Sequence, residues 1–202
     1  TQAQELSSVR AKNILDSFGY TEQQISTGQL QVQTQPSTDT VLAALRAVEK
    51  AENGTFFIAA DGKATFRDRN FRLTNTTTPA ATFGQGVGEL NYADIKTSFD
   101  DDKIVNTVQR TRTGGTKQTA FSSDSINRFG SNILVQSGTL NVSDSDVLSI
   151  ANQLVVANDI PQTRIESLSF TPKSNTSLWS KALGLDLGSF VEAKVTTGSG
   201  TV

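Results

Sequence analysis

Carboxylates are the side chains in this sequence best suited to chemistry, because the chain contains no histidine and no cysteine. Those absences remove the commonest general base, the commonest metal ligand and the thiolate nucleophile. Pairs of carboxylates can hydrolyse glycosides without them. The acidic candidates are Asp68, Glu89, Asp94 and Asp186. Nothing in their spacing brings two of them together or marks a cleft that would shift a pKa, so the sequence favours a protein with no catalytic residues.

Two acidic clusters have the oxygen ligands that calcium prefers. One is Asp100, Asp101 and Asp102, and the other is Asp144 with Asp146. Neither has the loop spacing or the glycine of an EF-hand. Acidic residues are also typical of turns between strands and of helix N-termini, which is the interpretation we favour for both. We therefore predict no metal site and no cofactor.

Glycines and one tryptophan give the remaining chemical candidates. Gly84, Gly86 and Gly88 form a G-x-G-x-G run, but no apolar strand precedes it and no helical pattern follows it. A phosphate cradle needs both elements, so the run predicts a flexible loop. Trp179 is the only tryptophan. Its ring could stack on a sugar, but its large apolar area favours anchoring of a core.

The composition predicts a folded chain without an obvious charged partner. Of the 202 residues 36% are apolar and 19% are charged, with a net charge of −2. Lysines and arginines are scattered singly, so no footprint for nucleic acid or an anionic membrane is present. The longest apolar runs, such as 56–60, are far shorter than the roughly 20 residues that cross a bilayer. Because position 1 is Thr and no Met occurs, we expect an internal or processed piece of a longer protein.

Two helices and a hairpin are predicted in the first third of the chain. The first helix is capped by Ser7 or Ser8 and ends at Gly19, and the second is capped by Thr38 or Asp39 and ends at Asn53-Gly54. A short strand is predicted around Leu30 and Val32. The runs 55–60 and 63–68 are joined by Asp61-Gly62, which predicts a type I′ hairpin. The helices bury apolar stripes with i, i+3, i+4 spacing: Ala11, Ile14, Leu15 and Phe18, then Val41, Leu42, Leu45 and Val48.

The rest of the chain predicts mostly strands. Residues 73–88 are rich in Thr, Pro, Ala and Gly, which suits a linker or an extended excursion. A helix capped by Ser143, with Asp146 in the capping-box position, is predicted to end near Asn158. We predict an α+β, predominantly β fold with a small helix and hairpin subdomain over 1–78 and a β-barrel-like subdomain over 79–202. Strands at 104–112 and 116–121, joined by the turn Thr113-Gly114-Gly115, are predicted to form a second hairpin, and Gly138 is predicted to interrupt a weak strand at 133–140. The other predicted elements are strands at 95–99, 163–170 and 190–195, a helical turn at 125–129, and a short helix or turn around 178–183.

Several short motifs recur in an order that spans nearly the whole chain. They are Ile14-Leu15-Asp16-Ser17-Phe18-Gly19, the helix 41–52, Phe66-Arg67-Asp68-Arg69, the segment 83–90, the segment 99–106, the segment 114–120, Ser125-Ile126-Asn127-Arg128-Phe129-Gly130, and Leu178-Trp179 with 183–188. In this order the chain resembles the minor tail proteins of long-tailed bacteriophages, particularly those of actinobacterial hosts, and among these the tail-hub proteins. The family often carries Pro where this chain has Ser180, and an acidic residue where it has Ser189.

The resemblance implies a structural virion protein at the phage tail tip, assembled in the bacterial host cytoplasm. Hub proteins of this kind link the tail tube to fibres or a spike and resemble tail-tube proteins, with β-barrel domains around a channel. The implied partners are other tail proteins, namely the tail tube or distal tail protein and the fibres or spike. Hubs are commonly trimers, so a homo-oligomer is expected. The matching residues serve packing and turns, so they imply no active site.

Two other functions remain open at this stage. The first is a host-surface binding module that recognises a glycan or a protein, which would present a cluster of exposed aromatic side chains. The second is a segment of a tail-associated cell-wall hydrolase, which would need two of the acidic candidates in one cleft.

Overall fold

The computed structural model describes residues 4–34, 40–74, 78–99, 103–174, 176–197 and 200–201. Its α-helices are α1 (Ser7–Ser17), α2 (Val41–Glu52), α3 (Phe71–Thr74), α4 (Ser123–Phe129), α5 (Asp144–Asn158) and α6 (Ser177–Gly184). A 3₁₀ turn covers Pro172–Ser174. Its strands are β1 (Glu5–Leu6), β2 (Gln23–Ile25), β3 (Gln31–Val32), β4 (Thr55–Ile58), β5 (Ala64–Arg67), β6 (Ala81–Phe83), β7 (Asp94–Phe99), β8 (Thr107–Arg112), β9 (Gln118–Phe121), β10 (Ile133–Thr139), β11 (Thr163–Ser169), β12 (Val191–Ala193), β13 (Thr196–Thr197) and β14 (Gly200–Thr201).

The chain forms two compact units, and each takes two separate segments. Unit 1 consists of Thr1–Arg69 and Asp100–Gln162, and unit 2 of Asn70–Phe99 and Thr163–Val202. The predicted division at residue 78 is a single cut along the chain, whereas these units are interleaved in sequence. The assignment of 79–202 to a hub subdomain stays a prediction.

The first core of unit 1 lies between two helices and a three-stranded sheet. The sheet has the order β2-β5-β4, with β2 parallel and β4 antiparallel to β5. Most of the predicted stripes are buried here, but Phe18 and Leu42 are exposed and were wrongly assigned to the core. Phe18 lies just beyond the last residue of α1 and Leu42 lies in the first turn of α2, so both are at helix ends, outside the residues that pack into this core. The buried residues of this core are Ala11, Ile14, Leu15, Leu45, Val48, Phe56, Ala64 and Phe66.

The ends of these helices follow local chemistry, with two corrections. Helix α2 ends at the predicted position, where Asn53 adopts the left-handed conformation at φ 58°. Thr40 caps the start of α2, since its Oγ1 accepts from Ala43 N; Thr38 and Asp39 lie outside the described residues. Ser7 and Ser8 do not cap α1, because both are already inside the helix. The Ser7 hydroxyl instead donates to Glu52 Oε2 at 2.7 Å.

The predicted hairpin at 55–68 is confirmed as β4 and β5, with Thr55 opposite Arg67 and Ile58 opposite Ala64. Its turn is not type I′. Ala59 N donates to Lys63 O and Gly62 N donates to Ala59 O, which leaves a three-residue loop. Only Gly62 has a positive φ, at 86°, so the geometry is that of a three-residue loop closed by one left-handed glycine.

The second core of unit 1 lies between α5 and the sheet β10-β8-β9. The hairpin β8–β9 and the N-cap at Ser143, whose Oγ accepts from Asp146 N at 3.1 Å, are both confirmed. β10 pairs parallel to β8 and shifts register between Gln136 and Thr139, where the predicted interruption at Gly138 occurs. Val108, Ala120, Ala151 and Val155 form the buried centre.

Unit 2 is smaller and is built from strand pairs. β6 and β12 pair in parallel, and β7 and β11 pair antiparallel. Ala81, Phe83 and Leu178 form its buried centre, with Leu168 and Phe170 against it. Trp179 was predicted to anchor a core but is 53% exposed. Successive helical residues point about 100° apart, so the burial of Leu178 turns Trp179 outward.

The predicted α+β, predominantly β class is confirmed. The sheets are open ones of two or three strands, so no closed barrel forms within the described residues. In the same residues no helix combines the length and the apolarity needed to cross a bilayer.

Candidate assembly surfaces

The glycine-rich run at 84–88 holds a carboxylate of the chain itself. Glu89 Oε2 accepts a 2.7 Å hydrogen bond from Gly86 N. A Cβ atom at Gly84 would overlap the same Glu89 oxygen, so a side chain there would displace the carboxylate. The backbone amide of Gly86, which a phosphate cradle would use to bind an anion, therefore already donates to a carboxylate of the chain itself.

Lys194 completes this arrangement from the segment after β12. Its Nζ lies 2.9 Å from Glu89 Oε1 and 3.8 Å from Glu192 Oε2. The hydrogen bond from Lys194 and the one from Gly86 hold the pKa of Glu89 below its ordinary value. A carboxylate kept ionised in this way is a poor general acid, so Glu89 fits a structural ion pair better than glycoside hydrolysis.

The other acidic candidates are spread over both units. Asp68 lies in unit 1, where its Oδ1 accepts from Ser26 Oγ at 3.0 Å. Asp94 starts β7 and is exposed. Asp186 Oδ1 accepts from the next backbone amide, Leu187 N, at 2.8 Å in a local turn. Asp68 and Asp186 therefore each have a hydrogen-bond donor within their own unit.

Asp144 likewise has a structural role. Its Oδ1 lies 2.6 Å from Arg112 Nε, and its Oδ2 accepts from the hydroxyl and the amide of Thr116 at 2.7 and 3.2 Å. The Thr116 hydrogen bonds, followed by Arg112, lower the pKa of Asp144. The carboxylate thereby ties the β8–β9 turn to the start of α5. Asp100, Asp101 and Asp102 lie outside the described residues, and the described ones contain no cluster of three or more potential metal ligands.

One face of the sheet β10-β8-β9 is covered by α5, and the opposite face carries exposed apolar side chains. Leu134, Val108 and Ala120 point toward α5, whereas Ile133, Val135 and Phe121 alternate to the other side. They are 55%, 65% and 64% exposed. Ile133 is opposite Thr107, which is opposite Phe121, so these two apolar residues lie in one row across the sheet. We call Phe121, Ile133 and Val135 the open sheet face.

The strands β7 and β11 form a two-stranded ribbon in unit 2. Near its base Ile95 is opposite Leu168, and Leu168 packs on the core of the unit. Farther along, Thr97 pairs with Ile165 and Phe99 pairs with Thr163, and these side chains are exposed. Within the described residues each strand hydrogen-bonds to no third strand. The ribbon therefore presents two open strand edges together with the exposed rings and methyl groups of Phe99 and Ile165.

Helix α6 presents a third apolar surface. Trp179 and Leu183 are four residues apart, on one side of the helix, and both are exposed. The buried Leu178 holds the helix on unit 2 from the other side.

A run of consecutive apolar residues in the sequence could have predicted the open sheet face, because such a run departs from the alternation expected of a strand with one solvated face. Ile133, Leu134 and Val135 are three consecutive apolar residues in one strand. A strand with one solvated face usually alternates apolar and polar residues, whereas consecutive apolar residues are typical of strands covered on both faces. The exposure of Phe121 and Trp179 carries no comparable local signal.

Comparison with solved structures shows that the chain shares its fold with a chain from a virion. No protein family model and no curated protein matches the chain. A chain from the virion of a native gene transfer agent particle shares the fold with a TM-score of 0.53 and 19% identity, over 76% of this chain and 35% of that one. A prophage tail protein from Listeria monocytogenes EGD-e aligns at TM-score 0.48 and 11% identity, over 81% and 51% of the two chains. A tail protein from Neisseria meningitidis MC58 aligns at 0.45 and 12%, over 72% and 43%.

The first of these neighbours shows the fold of the chain. It is the fold of a chain from the gene transfer agent virion, shared at low identity. This chain spans only about a third of the length of that neighbour and about half or less of the two tail proteins.

Proposed function

We propose that this chain is a structural component of the tail of a bacteriophage or phage-like particle. The observation that carries the proposal is the fold shared with a chain of the gene transfer agent virion over 76% of the present chain. The finer assignment is a minor tail or hub protein at the tail tip, between the tail tube and the fibres or spike. It agrees with the resemblance of the sequence motifs to tail-hub proteins.

The ribbon of β7 and β11 supports a role in assembly. An isolated two-stranded ribbon is marginally stable, because few of its side chains are covered. Its unpaired edges are suited to adding a strand from another chain, which would pair the free N–H and C=O groups. The partners proposed for such edges are further copies of this chain in a trimer and other tail proteins.

The open sheet face supports the same role in unit 1. Phe121, Ile133 and Val135 are exposed apolar side chains on the side of the sheet away from α5, with Thr107 between Phe121 and Ile133. Soluble monomers seldom leave such areas open, and covering them against a neighbouring subunit removes apolar surface from water. A ring of subunits needs contact areas of this kind on each subunit.

The location is tested by labelling purified particles from the cell that encodes the chain with gold-conjugated antibody raised against it. We expect gold at one end of the tail. Label along the whole tail would replace the tip assignment with a tube assignment. Unlabelled, intact particles that also lack peptides of this chain in mass spectrometry would refute a role in the virion.

The assembly state is tested by light scattering during size exclusion. We expect a trimer that Ile165→Lys in the ribbon converts to monomers, since a charge on an edge strand opposes edge-to-edge pairing. Val87→Lys is the matched control, because Val87 is fully exposed on the glycine-rich loop of the same unit. A wild-type monomer at all concentrations, or equal effects of both variants, would contradict the use of the ribbon.

A second candidate function is favoured by the exposure of Trp179 and Leu183 on α6. A flat aromatic ring beside an aliphatic side chain can stack on a sugar, so the chain would bind a host-surface glycan. A glycan array with wild type, Trp179→Ala and the control Phe18→Ala tests it. Binding lost only in Trp179→Ala would favour this candidate over a purely structural role, and no binding by wild type would remove it.

A further inference from the structure

The outer strands of the two three-stranded sheets in unit 1 differ in how their edges are protected. Within the described residues these strands are β2 and β4 in one sheet and β9 and β10 in the other. An outer strand directs the N–H and C=O groups of alternate residues away from its partner strand. Such groups recruit a strand from another chain unless the protein blocks them, so the protection of each edge decides where pairing occurs.

Helix α2 blocks the edge of β4. Phe56 N donates to Glu49 Oε1 at 3.1 Å, and Arg46 Nη1 donates to Phe56 O at 3.1 Å. Glu49 and Arg46 are also joined to each other by an ion pair. Two side chains of α2 therefore occupy the place of a neighbouring strand.

The edges of β10 and β2 are protected in other ways. Lys50, also on α2, donates from Nζ to Ser137 O at 2.7 Å, and β10 shifts register between Gln136 and Thr139. A lysine and a bulge on an outer strand both oppose pairing with another chain. Strand β2 is only three residues long, and very short edge strands are poor templates for pairing.

The edge of β9 has no comparable protection. Ser122 N donates to Asn106 O, so the alternation along β8 and β9 turns the backbone groups of Thr119 and Phe121 outward. These groups have no hydrogen-bond partner in the part of the chain that the structure describes. Both residues are exposed, and β9 contains no charged side chain. The edge of β9 is therefore open to an incoming strand.

Strand β7 of the ribbon fits this edge. It ends in Thr97-Ser98-Phe99, whereas β9 ends in Thr119-Ala120-Phe121, so each has a β-branched and an aromatic side chain on one face with a small residue between them. Cross-strand pairs of aromatic and β-branched residues stabilise sheets. The bulge of the ribbon lies on β11 at Glu166, which leaves β7 as the regular edge.

We propose that β9 accepts β7 from a second copy of this chain, so that the sheet β10-β8-β9 of one copy continues into the ribbon of the next. The pairing satisfies the outward backbone groups of Thr119 and Phe121 and brings Phe99 to the open sheet face of its neighbour. Because the donating and accepting strands are different surfaces, the contact is heterologous and suits a closed ring. The proposal rests on the proposed role in the tail and names the two edges that meet there.

Proline substitution tests the edge of β9. Thr119→Pro removes an outward N–H and turns a ring toward the incoming strand, while Gln118 and Ala120 keep their pairing with β8. Ile58→Pro is the matched control, because Ile58 lies two residues after Phe56 on the protected edge of β4 and also directs its N–H outward. In light scattering during size exclusion, we expect wild type and Ile58→Pro to form the same oligomer and Thr119→Pro to lose it. An unchanged oligomer of Thr119→Pro, equal loss in both variants, or a wild-type monomer at all concentrations would overturn the proposal.

Cross-linking tests the partner strand without a proline. The chain has no cysteine, so Thr97→Cys and Thr119→Cys each introduce a single thiol. A mixture of these two variants treated with a short bismaleimide should give a covalent dimer. Val87→Cys mixed with Thr119→Cys is the control, because Val87 is fully exposed on the glycine-rich loop of the same unit as β7. Equal yields of dimer in the two mixtures would overturn the pairing of β7 with β9.

Hydrogen exchange in purified particles separates a failure of this proposal from a failure of the role in the tail. We expect the amides of Thr119 and Phe121 to exchange at least about tenfold more slowly in particles than in the wild-type chain diluted to monomers. Equally fast exchange in particles that contain the chain would overturn the pairing at β9 and leave the role in the tail intact. Particles that lack the chain would refute that role and this proposal with it.

Discussion

Glu89 Oε2 accepts a hydrogen bond of 2.7 Å from Gly86 N, so the glycine-rich loop of unit 2 closes on a carboxylate only three residues away. Lys194 meets the other oxygen of Glu89 at 2.9 Å. The loop is thereby joined to the segment after β12, 105 residues along the chain.

This arrangement predicts an acid-sensitive contribution to stability. Lys194 first, and then Gly86, hold the pKa of folded Glu89 below 4.5, its ordinary value. Stability from a lowered pKa is present above the unfolded value and is lost as the pH falls through the folded value. We expect Glu89→Gln to lower the Tm of unit 2 at pH 7 and to differ little from wild type well below pH 4.5.

The measurement is thermal unfolding at several pH values followed by the fluorescence of Trp179, the only tryptophan, which lies in the same unit. Glu22→Gln, an exposed carboxylate of unit 1, is the control and should leave this signal unchanged. A Tm difference between Glu89→Gln and wild type that stays constant with pH would contradict the role of the charge.

The two leucines of α2 should differ sharply in how much each contributes to the free energy of unfolding. Leu45 is buried between the helices and the sheet, whereas Leu42 is 56% exposed. Leu45→Ala should lower the free energy of unfolding by about 2–5 kcal/mol because it removes packed atoms and leaves a cavity. Leu42→Ala should change it by less than about 0.5 kcal/mol. Denaturant unfolding followed by circular dichroism measures both, and similar losses would mean that the helix faces the core differently.

The buried carboxylate of Glu52 predicts a large effect at the other end of the same helix. It accepts from Ser7 Oγ at 2.7 Å, from Gln29 N at 3.1 Å and from Leu30 N at 3.2 Å. Glu52→Ala leaves these donors without an acceptor and should cost about 3 kcal/mol of unfolding free energy. Denaturant unfolding of Glu52→Ala beside Glu22→Ala, which removes an exposed carboxylate, measures the difference. An equally small effect of both variants would show that water replaces Glu52 at no cost.

The open sheet face predicts variants that alter assembly and not folding. Ile133→Lys and Val135→Lys place charges on exposed positions, so the free energy of unfolding should change by less than about 1 kcal/mol. If the face is covered in the assembled tail, particles carrying either variant should contain much less of this chain. Val156→Lys on the exposed side of α5 is the matched control. Quantitative mass spectrometry of purified particles compares the three, and equal incorporation would exclude this face as a contact.

Prediction from sequence worked best where a structure depends on adjacent residues. The hairpins at 55–68 and 107–121, the end of α2 at Asn53 and the Ser143 cap all follow from turn or capping chemistry within a few positions. Even there the turn type was wrong, because Asp61-Gly62 is compatible with more than one hairpin loop.

The errors share a different origin. Phe18, Leu42 and Trp179 have the residue types of a core, yet each is exposed, because Phe18 lies just beyond the end of α1, Leu42 lies in the first turn of α2, and Trp179 follows the buried Leu178 on α6. Conversely, Arg10, Glu52 and Arg110 have the residue types of a surface and are fully buried. Which member of a stripe is covered depends on the shape of the partner element, which adjacent residues do not encode.

The amino-acid sequence by itself determined the α+β class, most of the helices and hairpins, and the absence of histidine and cysteine chemistry. Only the tertiary structure decided that each unit takes two separate segments of the chain, that β10 pairs parallel to β8, that Glu89 closes the glycine-rich loop, and that the buried Arg110 donates to the last carbonyls of α2. The physical reason is the range of the interactions. Propensity, turns and caps act over a few residues, whereas strand pairing, burial and electrostatic contacts join residues far apart in sequence and depend on how the whole chain packs.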